Sequence, residues 1–288
     1  MRVRVPATTA NIGPGFDALG CALSLYNAFA FEKTTRGLEI TGCPAEYATA
    51  ENLCYRAYAE TCARMGVDGG GVRIHIETNV PLARGLGSSA TCLAAGAVAA
   101  NALHGSRLSG EELLDVCTTL EGHPDNVAPA LFGGLTAAFM HEGRPVVAKY
   151  AIHPDVRFFA MIPAFELSTH EARAALPKAV DFADAVFNVS HTAALLRGLE
   201  TGDRALIGAA LRDRLHQPYR RKLIPGYDDV ARVAQEAGAY AVFLSGAGPT
   251  IMALAEADFP ERAGRLSQLA GGWKLLPLRA DEGGARIE

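Results

Sequence analysis

The sequence predicts an α+β chain built as two domains, 1–154 and 155–288, and three observations carry that reading. A length of 288 residues suits one large domain or two ordinary ones. Stretches of period-two alternation are interleaved with stretches of helical spacing from end to end. In the second half the order is strand, helices, two strands, helix, strand, which fits a split β-α-β, ferredoxin-like α/β sandwich.

Composition narrows the function classes. Hydrophobic residues make up 49% of the chain, so a substantial core can form and disorder is excluded. The net charge of −4 offers no basic nucleic-acid surface, and an anionic ligand would have to be held by local groups. The six cysteines are scattered through the first half without a C-x-x-C pair, which reads as reduced core thiols of a cytoplasmic protein. No apolar run is suited to a bilayer; the stretch 90–103 is too short and too rich in alanine.

Taken in order, Arg2 to Val5 alternates as a strand stopped by Pro6, an opening that does not resemble a signal peptide. Gly13, Pro14 and Gly15 force a turn between Asn11 and Asp17, both ordinary turn residues when taken alone. Leu23 to Phe31 is an apolar strand, and Asn52 to Met65 a helix closed by Gly66. Val72, Ile74 and Ile76 alternate with Arg73, His75 and Glu77 in the next strand. It leads into Pro81-Leu82-Ala83-Arg84-Gly85-Leu86-Gly87-Ser88-Ser89-Ala90, the turn around which the chain is organised, and then into a small, apolar helix to Leu103. A helix N-terminus behind glycines that permit close approach favours an anion, and the two serines add hydroxyls that can cap the helix, bond a phosphate or ligate Mg²⁺. A tight loop capped by serine would share this composition, and the Walker pattern is absent.

Ser109 to Glu112 is a capping box, and Leu113, Val116, Cys117 and Leu120 form the stripe of the helix it opens. That helix ends in Glu121-Gly-His-Pro-Asp-Asn-Val-Ala-Pro129, where Asp125 or Asn126 reads as the N-cap of a short helix to Phe132. Segments 135–140 and 146–150 form a hairpin, and the boundary falls near 152–155. Arg157 to Ile162 is a strand, 168–177 a polar segment stopped by proline, and 181–199, 203–214 and 228–237 are helical. Strands at 240–244 and 250–255 flank Ser245-Gly-Ala-Gly-Pro249, followed by a helix at 260–270 and a strand at 273–278.

Three glycine-rich loops therefore stand out, around Gly13–Gly15, Gly85–Gly87 and Gly246–Gly248. Together they resemble the three motifs of the GHMP kinase superfamily, and the middle loop is similar to its P-x-x-x-G-L-G-S-S-A phosphate loop at every fixed position. Pro6 to Gly20, Glu121 to Pro129 and Leu244 to Thr250 most resemble the homoserine kinase family. The resemblance implies a ribosomal-S5-like first domain, a ferredoxin-like second domain and a site in the cleft between them. It implies the transfer of a phosphoryl group from ATP to L-homoserine, on the route to threonine, with a cytoplasmic location and a homodimer as an allowed assembly.

By the same resemblance, residues 81–90 and Asn52 bind ATP, although Asn52 equally reads as a helix N-cap. Ser88 or Ser89 with Glu121 would hold Mg²⁺, whose preference is for hard oxygen ligands. Asp17, with Asn11, would take the substrate ammonium. Arg173 and Arg220 would take its carboxylate with guanidinium forks, Arg221 being the neighbour most easily mistaken for Arg220. His123 and Asn126 would lie at the hydroxyl, and Ser245, Gly246 and Gly248 form the third loop. Asn126 cannot act as a base, and Asp125 beside it reads as the N-cap. The implied mechanism is therefore positioning with electrostatic stabilisation, the proton passing to phosphate or solvent. Two rivals share the fold: a mevalonate-kinase-like enzyme, which would leave Asp17 without an ammonium, and a ligand sensor, which would have lost a metal or phosphate ligand.

Overall fold

The computed structural model describes all 288 residues. Two antiparallel-dominated sheets carry the chain. The first contains β1 (Arg2–Ala10), β2 (Leu19–Thr34), β3 (Leu38–Thr41), β4 (Gly71–Glu77), β5 (Leu135–His141) and β6 (Arg144–Tyr150). Strand β2 is its axis. One edge pairs with β1, while the other forks: residues 19–21 pair with β5 and residues 28–34 with β4. Near the fork, Asn27 Oδ1 accepts from Asn79 N and Val80 N at 2.8 Å, and its Nδ2 donates to Thr91. A fully satisfied buried amide thus pins the run that feeds the central glycine loop.

Pro6 does not stop the first strand. β1 runs on to Ala10, and its register against β2 shifts between Pro6 and Ala7. An irregularity is where a residue without an N–H is tolerated inside a sheet. Helices α1 (Leu53–Arg64), α2 (Ser88–Leu103), α3 (Gly110–Glu121) and α4 (Val127–Phe132) cover one face of this sheet. The alanine-rich α2 lies at the centre, where its short side chains allow close contact: a methyl on Gly96 would stand 2.0 Å from the carbonyl of Cys54. The capping box at Ser109 and Glu112 forms as expected. All six cysteines are free.

The second sheet contains β7 (Phe158–Ile162), β8 (Ala241–Leu244), β9 (Ile251–Leu254) and β10 (Lys274–Leu278) in the order β10-β7-β9-β8. This is the ferredoxin-like order the element pattern predicts. Its inner strands β7 and β9 read as unbroken apolar runs because both faces are buried. Phe158, Ala160, Phe243 and Met252 join a core shared with the first sheet, α6 (Phe182–Thr201) and α7 (Arg204–Ala210). Phe159, Met161, Leu244 and Ile251 face α9 (Tyr227–Glu236) and α10 (Phe259–Arg262). Two short helices, α5 (Thr169–Ala174) and α8 (Gln217–Arg220), approach the junction of the sheets.

Two further features depart from the sequence reading. The helix expected at 260–270 is the single turn of α10 followed by a 3₁₀ segment, Gly264–Gln268. The chain then crosses back, and β11 (Arg286–Ile287) pairs with β1, so the last residues extend the first sheet. No helix is long and apolar enough to cross a membrane.

Candidate active site

A cavity of about 500 Å³ lies where the three glycine loops meet. The loops are sewn together by their backbones. Gly246 N donates to Ala10 O, Thr8 N to Leu86 O, and Thr250 N to Arg84 O. Ser245 Oγ donates to Gly85 O at 2.6 Å and lies 2.9 Å from Thr9 Oγ1. Gly85 and Gly87 take φ of +74° and +68°. A methyl on Gly87 would stand 1.9 Å from Thr8 Oγ1, and one on Gly85 2.4 Å from Ser245 O. Glycine is thus demanded by conformation and by space. Gly87 occupies the N-cap position of α2, so Ser88 and Ser89 begin the helix instead of capping it. The first-turn N–H groups of α2, which lack helical partners, make this end of the cavity fit for an anion.

Ser89 Oγ donates to Glu121 Oε1 at 2.7 Å, which brings together the α2 N-terminus and the last residue of α3. Gly122, with φ +94°, closes α3 there and turns the chain into the loop that follows. Burial pushes the Glu121 carboxyl above its ordinary range, partly opposed by the Ser89 bond. An acid that is held half-buried with only a neutral donor is a natural partner for a cation. The donor set, the Ser89 hydroxyl and the Glu121 carboxylate, is all oxygen. That fits Mg²⁺, which binds through one or two carboxylates and keeps its remaining positions for waters and phosphates.

Beyond Gly122, Asp125 is not a helix cap. Its carboxylate meets His123 Nδ1 at 2.5 Å and is almost fully buried, while Asn126 occupies the cap position of α4 without a side-chain capping bond. The Asp125 hydrogen bond raises the His123 pKa against the opposing effect of burial. Asn126 Oδ1 accepts from Thr8 Oγ1 at 2.8 Å. Its carbonyl is therefore held by β1, while the amide nitrogen donates to Asp125 Oδ1 at 3.5 Å and keeps a second N–H for a ligand.

At the other end, Asn11 Oδ1 accepts from Asp17 N at 2.9 Å, and Asn11 Nδ2 donates to Gly246 O at 2.9 Å. Asp17 itself has φ +53°. Its two carboxylate oxygens receive Nη1 and Nη2 of Arg173, each at 2.9 Å. The residues expected to take an ammonium and a carboxylate separately are thus paired with one another here. Arg220 is 2% exposed and has no carboxylate within ion-pair distance; Nε donates to Ala172 O and Nη1 to Gly246 O. Desolvation lowers its pKa. Behind it His216, fully buried, stacks on Phe16 and donates from Nε2 to Gly13 O, with Nδ1 3.5 Å from Arg220 Nη1. Arg221 turns outward towards Asp228 and does not line the cavity, whereas Arg220 does.

Of the expected residues, Asn11, Asp17, Asn52, Leu82, Ala83, Arg84, Gly85, Gly87, Ser88, Ser89, Glu121, His123, Asn126, Arg173, Arg220 and Gly246 line the cavity. Pro81, Leu86, Ala90, Ser245 and Gly248 do not; Leu86, Ala90, Ser245 and Gly248 are buried behind it. Asn52 serves as the α1 N-cap and donates to Tyr47 O while also facing the cavity. Thr8, Phe16, Asp125 and His216 are additions. Thr8 sits in an ordinary strand pattern and carries no signal in the sequence. Asp125 could have been paired with His123 from their spacing alone.

The description of the GHMP kinases N terminal domain matches residues 52–134, and that of the GHMP kinases C terminal domain matches 195–268. The homoserine kinase of Clostridium beijerinckii is 44% identical over 290 aligned residues, covering 99% of this chain and 97% of that protein. Among solved structures, homoserine kinase from Cytophaga hutchinsonii superposes with a TM-score of 0.88 at 30% identity, covering 99% of this chain and 96% of that one. A putative homoserine kinase from Listeria monocytogenes does so with a TM-score of 0.82 at 31% identity, covering 99% and 98%. Both halves of the chain, and all three loops that meet at the cavity, lie within these alignments, and the chain accordingly belongs to the homoserine kinase family of the GHMP kinases.

Proposed function

We propose that the chain transfers the γ-phosphoryl group of ATP to the hydroxyl of L-homoserine, giving ADP and O-phospho-L-homoserine on the route to threonine. The observation that carries this is the joining in one cavity of an anion-binding helix start with an acid, Asp17, and two guanidinium groups, those of Arg173 and Arg220. Domains 1–154 and 155–288 would then supply the two ends, with the C-terminal strand tying the second to the first. The reading brings with it a cytoplasmic setting and allows a homodimer.

In this reading the backbone of residues 83–88 receives the phosphates and residues 43–53, including Asn52, the base. Ser89 and Glu121 hold Mg²⁺, with Ser88 beside them. When bound, that ion neutralises charge on the transferring group. Arg220 receives the substrate carboxylate. The Asp17–Arg173 pair opens or shifts so that Asp17 takes the ammonium and Arg173 shares the carboxylate. The substrate itself replaces, charge for charge, what the pair gives up. His123 and the Asn126 amide orient the hydroxyl towards the phosphates. No side-chain base is required: orientation and charge stabilisation supply the rate, and the proton leaves with phosphate or solvent.

Coupled ADP release on a panel of L-homoserine, mevalonate and galactose tests the reading. Turnover with homoserine alone supports it. Mevalonate turnover would assign the charge set wrongly, and no turnover by a folded, nucleotide-binding preparation would make the chain a sensor.

A further inference from the structure

Arg84 lies in the middle of the glycine loop, where a cation would ordinarily be read as a phosphate ligand. Its guanidinium is instead spent on the protein. Nε donates to Pro163 O at 3.1 Å, Nη2 to Ala164 O at 2.6 Å and Nη1 to Leu82 O at 3.0 Å, while Nη1 also lies 3.1 Å from Glu166 Oε1. Three hydrogen bonds to backbone carbonyls thereby hold the guanidinium, with the Glu166 carboxylate as its ion-pair partner. The side chain is 14% exposed. A return bond runs from Leu167 N to Ala83 O. The segment so gripped leads at once to Ser168, whose hydroxyl caps α5 by accepting from Glu171 N, and the last turn of α5 carries Arg173. Leu82, Ala83, Ala164, Glu166 and Thr169 are exposed while Leu86, Pro163 and Leu167 are buried, so the Arg84 contacts join the exposed stretches of two segments that each have their own anchor in the core.

We propose that Arg84 is a positioning residue that couples the two substrates: it makes the glycine loop and the Arg173 segment one unit, so that filling the loop with a nucleotide sets Arg173 for the amino acid. The proposal rests on the functional reading above. A nucleotide that orders residues 83–87 orders 163–168 through the Arg84 contacts to Pro163, Ala164 and Glu166 and the Leu167–Ala83 bond, and the second ligand then meets a segment already fixed. The coupling is reciprocal, so homoserine tightens the nucleotide by the same factor.

Calorimetric titration of L-homoserine into the full chain, alone and saturated with the Mg²⁺ complex of the β,γ-imido analogue of ATP, reads the coupling directly. In the parent the analogue is expected to tighten homoserine by about tenfold, within the usual range of coupling factors. Arg84→Met, which keeps the apolar stem, should bring that ratio to within about twofold of unity. Glu166→Gln, at an exposed position, and Arg84→Lys, which cannot reproduce the fork, should lower the ratio partway and keep the test open should Arg84→Met fail to fold. A phosphate-ligand role predicts the opposite split: nucleotide affinity falls on its own and the ratio persists. That outcome, or a parental ratio of one, overturns the proposal. If homoserine fails to bind the parent in either state, the functional reading itself is wrong and the coupling falls with it.

Discussion

Asp17 and Arg173 stand 156 residues apart in the chain and meet through two parallel hydrogen bonds of 2.9 Å, one on each carboxylate oxygen. Each satisfies the charge of the other, so neither charge of this pair stands unmatched in the cavity. A zwitterion is the ligand class that can take over both halves of that pair.

Loss of either partner is therefore expected to lower kcat/KM by roughly 2–5 kcal/mol, the cost of leaving one charge of a close pair unmatched. Homoserine amide, which lacks the carboxylate charge, should be a poor substrate for the parent and be penalised much less by Arg173→Ala or Arg220→Ala. Measuring kcat/KM for both substrates on parent and variant closes a double-change cycle. Strict additivity would remove that arginine from the carboxylate.

Thr8 is fully buried, and its hydroxyl is 2.8 Å from Asn126 Oδ1. Thr8→Val keeps the shape and removes the donor. One hydrogen bond is worth about 1 kcal/mol, so kcat should fall by roughly five- to tenfold through misorientation of the Asn126 amide. Thr8→Ser should restore it. If valine and serine perform alike, the hydroxyl does not orient Asn126.

The His123–Asp125 contact carries a pH signature. The folded-state imidazole titrates above its unfolded value, so the pair's stabilisation is fully present below about pH 6.5 and is lost as pH rises through the folded value. Parent and Asp125→Asn should differ in stability by on the order of 1 kcal/mol in mildly acidic buffer and converge at alkaline pH. Thermal melts of both proteins from pH 5.5 to 8.5 check this, and a pH-independent gap would mean that the contact is not an ion pair.

The parts of the site that were readable in the sequence are those where one residue type is required locally. Gly85 and Gly87 could be placed because positive φ and close approach admit little else, and Ser109 because a capping box is contiguous. Opaque parts depend on what folding brings alongside. Arg84 belongs to the glycine loop by position but is recruited by carbonyls of residues 163 and 164. Asp125 has the composition of a cap, yet a histidine two residues away outcompetes the helix for it. Pro6 breaks a ladder only if the register continues, and here it shifts. The two residues of β11 are too few to show any period.

Glu121 offers the sharpest separation of function from stability. Its carboxyl is held above its ordinary range chiefly by burial, with the Ser89 hydroxyl at 2.7 Å and the charge of His123 in partial compensation. A folded-state value above the unfolded one means that ionisation opposes folding at every pH above the unfolded value, and that the penalty fades below it. Glu121→Gln keeps an acceptor for Ser89 and removes the charge. In metal-free buffer at neutral pH the variant should melt at or slightly above the parent, by a few degrees at most given about 2–4 °C per kcal/mol, and the gain should shrink on acidification. Turnover should move the other way. The carboxylate is proposed to hold Mg²⁺ against the transferring group, where charge changes most, so kcat should fall far more than homoserine binding weakens. Parental turnover across a Mg²⁺ titration would remove Glu121 from the metal. A lower melting temperature in metal-free buffer would show instead that the carboxylate is a structural anchor for the start of α2.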